Sequence, residues 1–407
     1  RIVAWCAALS TGGWDPALAR RMRVSLWRQL RYLRRRVEHD IGGNHVLENA
    51  CALIVGGACT ADARAMRHGR LLLARELPRQ VLSDGGHEER SPSYHRLLLE
   101  RLRDVQEILA RSDEPPLDAL DAAVTSMQHW MQALAGPDGA LPLLNDAWAG
   151  PPIQSGDAAV DDLTASGYVV LRAGSDQAVL DVGPLSPSHL PPHAHADALS
   201  FVLWMDGRPV VVDPGSGAYD GEARAWSRST AAHNTVEVDG ADQCVFLGPF
   251  RAARLPRVWR TPVEQVGDAV VVRAGHDGYG RLNDSVEVRR TFCWLPGDGL
   301  VIVDRLCCEQ PHRVMTPIHL AAGLEPGKTP VTVRELGPGP EPTERRDRVA
   351  PYLGRFDPAV VLERRMEAQP GVPFGWALLR SDASVRIEGT ILQIHRGRRA
   401  DVVVELA

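Results

Sequence analysis

The chain predicts an α+β multidomain protein, helical over residues 1–150 and all-β over residues 151–407, where the strands form a large antiparallel sandwich. Two observations carry this: a helical period of apolar residues gives way to a period of two, and a proline-rich stretch marks the change. From Arg1 to about Met131, Leu18, Met22, Leu26 and Leu30 recur at helix spacing, and so do Leu97, Leu98, Leu102, Val105 and Leu109. Asp15-Pro16 opens one helix, Ser91-Pro92 gives another an N-cap and a first-turn proline, and Pro115-Pro116 closes it. The segment from Gly136 to Asp162, with Pro137, Pro142, Pro151 and Pro152, lacks any period and reads as the connection between domains. Beyond it, Tyr168–Arg172, Ala178–Val182, Leu199–Met205, Pro209–Val212, Thr235–Val238, Val286–Trp294, Leu300–Val303, Ile391–His395 and Asp401–Glu405 are short β-branched or alternating runs bounded by turn residues.

Composition excludes several functions. The 407 residues are 44% hydrophobic, enough for real cores, and the net charge of −5 provides no global basic field for a nucleic acid. No apolar run reaches the roughly 18 to 20 residues of a membrane span. The seven cysteines are scattered, contain no CxxC pair and read as small core residues. Lys328 is the sole lysine among 46 cationic residues, a bias that a GC-rich bacterial genome produces and that also suits bidentate recognition of carboxylates. Because the sequence opens at Arg1 without a methionine or an apolar leader, an upstream N-terminal portion is expected.

Chemistry-bearing residues gather in three blocks. In Pro191-Pro-His-Ala-His-Ala-Asp-Ala-Leu-Ser-Phe201, His193 and His195 share one face if the backbone is extended. Asp213 in Val-Asp-Pro-Gly and His233 in His-Asn-Thr-Val would complete a His/Asp/His set of the kind that holds zinc, although each alone also suits a turn or a strand cap. In the helical half, Gly43-Asn44-His45-Val46-Leu47-Glu48 opens a helix with His45 and Glu48 on one side, and Asn44 is a cap or a ligand contact. The third block, Asp84 to His95, combines a glycine turn with acids, histidines and Tyr94.

Taken together, these blocks resemble the heparinase II/III-like polysaccharide lyases from the first residue to about Gln243. The resemblance rests on His-Ala-His-Ala-Asp-x-Leu-Ser-Phe, Val-Asp-Pro-Gly-Ser-Gly-x-Tyr, Arg-Ser-Thr-x-x-His-Asn-Thr-Val and, in the helical half, Gly-Asn-His-x-x-Glu and Ser-Pro-Ser-Tyr-His. It implies an incomplete (α/α) toroid of helices before the sandwich, with the first toroid helices absent. It also implies cleavage of a uronic-acid-containing polysaccharide by β-elimination. By position it makes His195, Asp213 and His233 ligands of a mainly structural Zn2+. Tyr94, His193, His45 and Asn44 become the catalytic groups, and Glu48, Tyr219 and Arg228 substrate contacts.

A uronate carboxylate disfavours the C5 carbanion until positive charge or hydrogen bonds offset it, a task for Asn44 and His45. A base such as His193 takes the C5 proton and Tyr94 protonates the leaving oxygen, or Tyr94 performs both steps. Two other readings are a zinc-dependent glycan hydrolase, with Glu48 or Glu88 as base, and a catalytically inactive glycan-binding protein. The partner expected is an anionic polysaccharide, with no nucleic acid and no membrane span; a homodimer is left open. The expected compartment is the periplasm or exterior of a bacterium.

Overall fold

The computed structural model describes residues 1–380, 383–397 and 399–406, and the chain forms two compact units. The first comprises Arg1–Glu89 with Tyr94–Trp130; the second comprises Arg90–Ser93 and everything from Met131 onward.

Helices come first: α1 (Ile2–Ser10), α2 (Pro16–Leu33), α3 (Gly43–Thr60), α4 (Ala63–Gln80), α5 (Pro92–Ala110) and α6 (Asp118–Leu134). The start of α2 is as the sequence predicts, with Asp15 accepting the Leu18 N–H at 2.9 Å and Pro16 in the first turn. Leu26 and Leu30 are buried, while Leu18 at the helix start is exposed. Helix α3 is apolar on most sides, through Val46, Leu47, Ala50, Cys51, Leu53 and Ile54, because it packs against several neighbours. Gly69 lets α4 approach it closely: a Cβ there would sit 2.7 Å from the Ala50 carbonyl oxygen.

The strands follow in antiparallel sheets. One sheet runs in order through β1 (Val160–Leu163), β2 (Tyr168–Ala173), β3 (Asp176–Asp181), β4 (Phe201–Met205) and β5 (Arg208–Val211). After α7 (Gly221–Arg228) come β6 (Glu237–Val238), the small pair β7 (Val245–Phe246) and β8 (Ala252–Arg254), then β9 (Val258–Arg260), β10 (Glu264–Val266), β11 (Ala269–Tyr279), β12 (Val286–Leu295) and β13 (Gly299–Cys307). The remainder is β14 (His312–His319), β15 (Thr332–Leu336), β16 (Thr343–Tyr352), β17 (Arg355–Ala368), β18 (Phe374–Leu379), β19 (Ser384–Glu388), β20 (Ile391–His395) and β21 (Val402–Glu405). A seven-stranded sheet has the order β10-β11-β12-β13-β18-β15, with β9 also on β11. The others are β16-β17-β14-β6 and β19-β20-β21.

The seven-stranded sheet is covered on both faces. Val270, Val272, Phe292, Trp294, Ile302 and Trp376 pack with Val169, Leu171, Leu180 and Phe201 of the five-stranded sheet. Their alternates Val271, Cys293, Val301 and Ala377 pack with Leu392, Ile394, Val402 and Val404 of the three-stranded one. A strand with two buried faces carries apolar residues at every position, which explains why β11 to β13 lack the polar alternation of a half-exposed strand. Within the stretch expected to be the connection, Leu144, Asn145, Asp146 and Ala147 are buried, while residues 150–152 and 157–159 are exposed.

Candidate active site and metal centre

Buried polar groups organise the loop from Val182 to Ser200, which joins β3 to β4. His193 and His195 do converge, though on a turn-rich loop instead of a strand, and what they converge on is Asp146. The His193 Nδ1 lies 2.8 Å from Asp146 Oδ2, and the His195 Nε2 lies 3.0 Å from Oδ1. Arg224 of α7 clamps the same carboxylate with both terminal nitrogens and donates to the Pro192 carbonyl at 2.7 Å. Burial alone would raise the Asp146 pKa; the bonds to His193 and His195 and the Arg224 charge outweigh it and hold the carboxyl below its usual range. This aspartate is therefore a fixed anion that orients two imidazoles.

Arg228, one helical turn after Arg224, serves the same loop. Its buried guanidinium donates to the carbonyls of Ala194 at 2.8 Å, Gly248 at 3.1 Å and Pro249 at 2.8 Å, and it stacks 3.7 Å from the Phe246 ring. Asn234, next to His233, ties strands together: its Nδ2 donates to the Phe201 and Val212 carbonyls, both at 2.9 Å, and its Oδ1 accepts the His319 N–H at 2.8 Å. Thr235 donates to the Ala198 carbonyl at 2.7 Å. Much of the motif set thus holds backbone in place.

Beside Asp146 lies a group of side chains that could hold a cation. Ligand atoms of His195, Asp197 and His233 all lie within 4.8 Å of one another, and all three residues are buried. The His195 Nδ1 and both Asp197 carboxylate oxygens have no hydrogen-bond partner. Burial, with Asp213 nearby, pushes the Asp197 carboxyl up to about 6 in spite of the His233 charge. Burial lowers the His195 imidazole to about 4, against the pull of Asp146. The unpaired His195 nitrogen and Asp197 oxygens in this dry pocket fit a bound divalent cation, and His233, whose Nε2 lies 3.0 Å from the Ser227 carbonyl, joins them by releasing one of its two ring hydrogen bonds. Asp213, expected in the set, instead meets the His233 Nδ1 at 2.7 Å through Oδ2, and it accepts the Gly215 N–H at 3.2 Å. His233 feels burial as a lowering, but Asp213 prevails and raises it to about 9.

The helical unit places its candidates on two helix starts. Asn44 is buried in the first turn of α3 and holds Glu89: its backbone N–H lies 2.9 Å from Oε1 and its Nδ2 lies 2.6 Å from Oε2. His45, exposed, stands 3.6 Å from Glu38, and Glu48 is 3.4 Å from Arg101. Glu48 lines a cavity of about 1180 Å³ whose wall also carries Arg28, Arg35, Arg36 and Arg101. Tyr94 sits half-buried in the first turn of α5. In the other unit, Tyr219 is half-buried, with the Arg224 guanidinium 5.4 Å from its ring centroid.

Asp146, Arg224, Asp197 and Glu89 were not singled out from the sequence. Asp146 lies in an aperiodic stretch with no local signal. Asp197 stands two residues past His195, the same spacing that marked the histidine pair, and that repeat was the available clue.

Comparison with known proteins finds one family over residues 17–384. The family model for the heparinase II/III-like C-terminal region matches residues 156–384, and the heparinase II/III N-terminus model matches residues 17–155. A heparin-sulfate lyase of Bacteroides stercoris is 28% identical over 317 residues, covering 67% of this chain and 45% of that protein. An alginate lyase of Stenotrophomonas maltophilia (strain K279a) is 26% identical over 171 residues, 36% of this chain and 22% of that one. The chain thus spans less than half the length of these curated relatives. A crystal structure of heparinase III superposes with a TM-score of 0.83 at 17% identity, covering 100% of this chain and 74% of that one. The heparan sulfate lyase of Pedobacter heparinus gives 0.72 at 17% identity, over 96% and 71%.

Proposed function

The chain belongs to the heparinase II/III-like family, and from that premise we propose that it is a polysaccharide lyase that cleaves a uronate-containing glycan by β-elimination. The observation that supports this reading best is the His193–Asp146–Arg224 arrangement. A buried carboxylate held at Nδ1 fixes one tautomer of the ring and stabilises the imidazolium formed when the other nitrogen takes a proton, as a base acting at C5 requires. We assign Tyr94 as the acid that protonates the departing glycosidic oxygen. Asn44 and His45 offset the charge of the uronate carboxylate. For Asn44 this task falls to the amide hydrogen not directed at Glu89. Glu48 and Tyr219 are assigned to substrate contact, while Arg228, whose donors meet backbone carbonyls, positions the histidine loop. The arginines beside Glu48 give that cavity donors for sugar carboxylates or sulfates.

His195, Asp197 and His233 are the residues proposed to hold Zn2+, with Asp213 fixing the His233 ring. The ion would supply cross-linking of the loop, since elimination needs no hydrolytic nucleophile. We extend the proposal to the architecture expected from the resemblance, a partial toroid and stacked β layers, and to a bacterial periplasmic or secreted setting. The test is product analysis on a panel of uronate polysaccharides. A lyase leaves an unsaturated sugar end that absorbs in the ultraviolet. Saturated ends would make the protein a hydrolase, and binding without cleavage would make it a lectin-like member of the family; either result ends the lyase reading.

A further inference from the structure

A second set of metal-ligand side chains lies apart from the histidine loop. Asp284 stands in the connection between β11 and β12, Cys308 directly follows β13, and His312 opens β14. A carboxylate oxygen, a thiol sulfur and an imidazole nitrogen of these residues all lie within 4.8 Å of one another. A tetrahedral zinc ion with bonds of about 2.0 to 2.3 Å separates its ligand atoms by roughly 3.3 to 3.8 Å, so small side-chain movements close this set onto an ion.

The surroundings are those of a built site. The His312 Nδ1 lies 2.7 Å from Asp239 Oδ2, and Asp239 itself accepts the Arg313 N–H at 3.0 Å. That leaves Nε2 directed at Asp284, whose Oδ2 lies 3.0 Å away. A carboxylate on one imidazole nitrogen with ligands gathered at the other is the arrangement that orients a metal-binding histidine. Asp284 is held by the backbone N–H groups of Glu309 at 3.0 Å and Gln310 at 2.8 Å, which attach it to the turn that carries Cys308. The Cys308 Sγ lies 3.3 Å from the Gln310 carbonyl, on that same turn. His312 is nearly buried, while Asp284 and Cys308 reach the surface, so an ion has a path in.

We propose that Asp284, Cys308 and His312 form a second divalent-metal site, selective for a borderline-soft ion such as zinc because it includes a thiolate, with Asp239 as the carboxylate that orients His312. Binding releases the Cys308 thiol proton and any proton on His312 Nε2 to solvent, while the Nδ1 proton stays on the ring and is donated to Asp239. The ion joins the β11–β12 and β13–β14 connections, and Asp239 links them to the end of β6. Neither the elimination chemistry nor the first metal set enters the argument, and the first set contains no sulfur.

Cobalt distinguishes the two sets. Chelator-treated protein titrated with Co2+ should develop a thiolate-to-cobalt charge-transfer band and release protons as it does so. Cys308→Ser should abolish the band and lower bound metal by one ion per chain with the circular dichroism unchanged. Cys307→Ser and His195→Ala should keep the band. No band at saturating Co2+, or a band that survives Cys308→Ser, would overturn the proposal and leave His312 as an imidazolium bridging two carboxylates.

Discussion

Asp197 brings an acidic side chain into a fully buried position with no hydrogen-bond donor at either oxygen, beside an equally unpartnered nitrogen of His195. An isolated ionised carboxylate there is unfavourable unless a proton or a cation meets it, and the convergence with His195 and His233 favours the cation. Asp197→Asn keeps the shape and removes the charge. The variant should lose about one bound ion per chain in elemental analysis, because a ligand set short of its anion binds far more weakly; metal content equal to the wild type would remove Asp197 from the site. Tyr94→Phe asks a different question, since it keeps the ring and deletes only the hydroxyl. It should fold and retain metal but turn over about a hundredfold more slowly, the usual scale for a positioned acid or base, with a smaller change in KM. Near-normal turnover would transfer the acid role to another group. His193, His195 and His233 stood out in the sequence because histidine is informative at close spacing. Asp146, the carboxylate that orders two of them, stood out from nothing, because its role exists only after a distant loop has folded against it.

Strands β12 and β13 share a buried pair, Arg290 and Asp304, joined at 2.7 and 2.9 Å. The same guanidinium donates to the carbonyls of Leu199 and Asn234, both at 2.7 Å, so one side chain in a central strand secures both histidine-bearing segments. Leu199 needs such support, for its φ of 65° is a left-handed conformation that a leucine rarely adopts. Arg290→Ala leaves Asp304 charged and buried and should destabilise the second unit by about 3 to 5 kcal/mol, whereas Arg289→Ala, at an exposed pair with Glu287, should cost under about 1 kcal/mol. Urea midpoints of the two variants decide this, and equal midpoints would deny the pair its role. The strands legible in the sequence, such as Tyr168–Arg172 and Ile391–His395, have clear edges of glycine, proline or charge. Strand β11 is not legible although β12 and β13, buried on both faces like it, are, because its later half, Gly275-His-Asp-Gly278, consists of turn-forming residue types. Strands β16 and β17, rich in arginine and glutamate, were missed for a different reason: one face is open and the charges dominate the pattern.

Across the whole molecule, buried neutral histidines set a pH response. His95 donates from Nε2 to the Met127 carbonyl at 2.8 Å and accepts the His87 N–H at Nδ1, and burial lowers its pKa to about 3. His276 is lowered to about 3 by burial first and by Arg290 second. Both folded values lie below the ordinary 6.5, so the unfolded chain binds protons that the folded chain refuses. Their contribution is therefore complete above about pH 6.5 and is lost as pH falls toward 3, at up to about 1.4 kcal/mol per pH unit for each group. Denaturant midpoints recorded between about pH 7 and pH 4.5 should fall, and His276→Asn should flatten the decline. An identical slope in that variant would mean that His276 takes no part.

The sequence by itself determined the order of the fold, helices before antiparallel strands, because apolar periodicity is a local property and each element declares its own period. It also determined the family, through motif blocks whose spacing along the chain is visible without coordinates. Only the tertiary structure decided which atoms meet. It gave His193 and His195 to Asp146, brought Asp197 beside His195 and His233 while Asp213 turned to the edge of His233, and directed Arg228 to backbone carbonyls. The physical reason is that a side chain's partner is fixed by loop closure over tens of residues and by the need to satisfy every buried polar group at once. No residue carries that condition in its own neighbourhood, so it becomes readable only when the packed chain shows which donors and acceptors have been enclosed together.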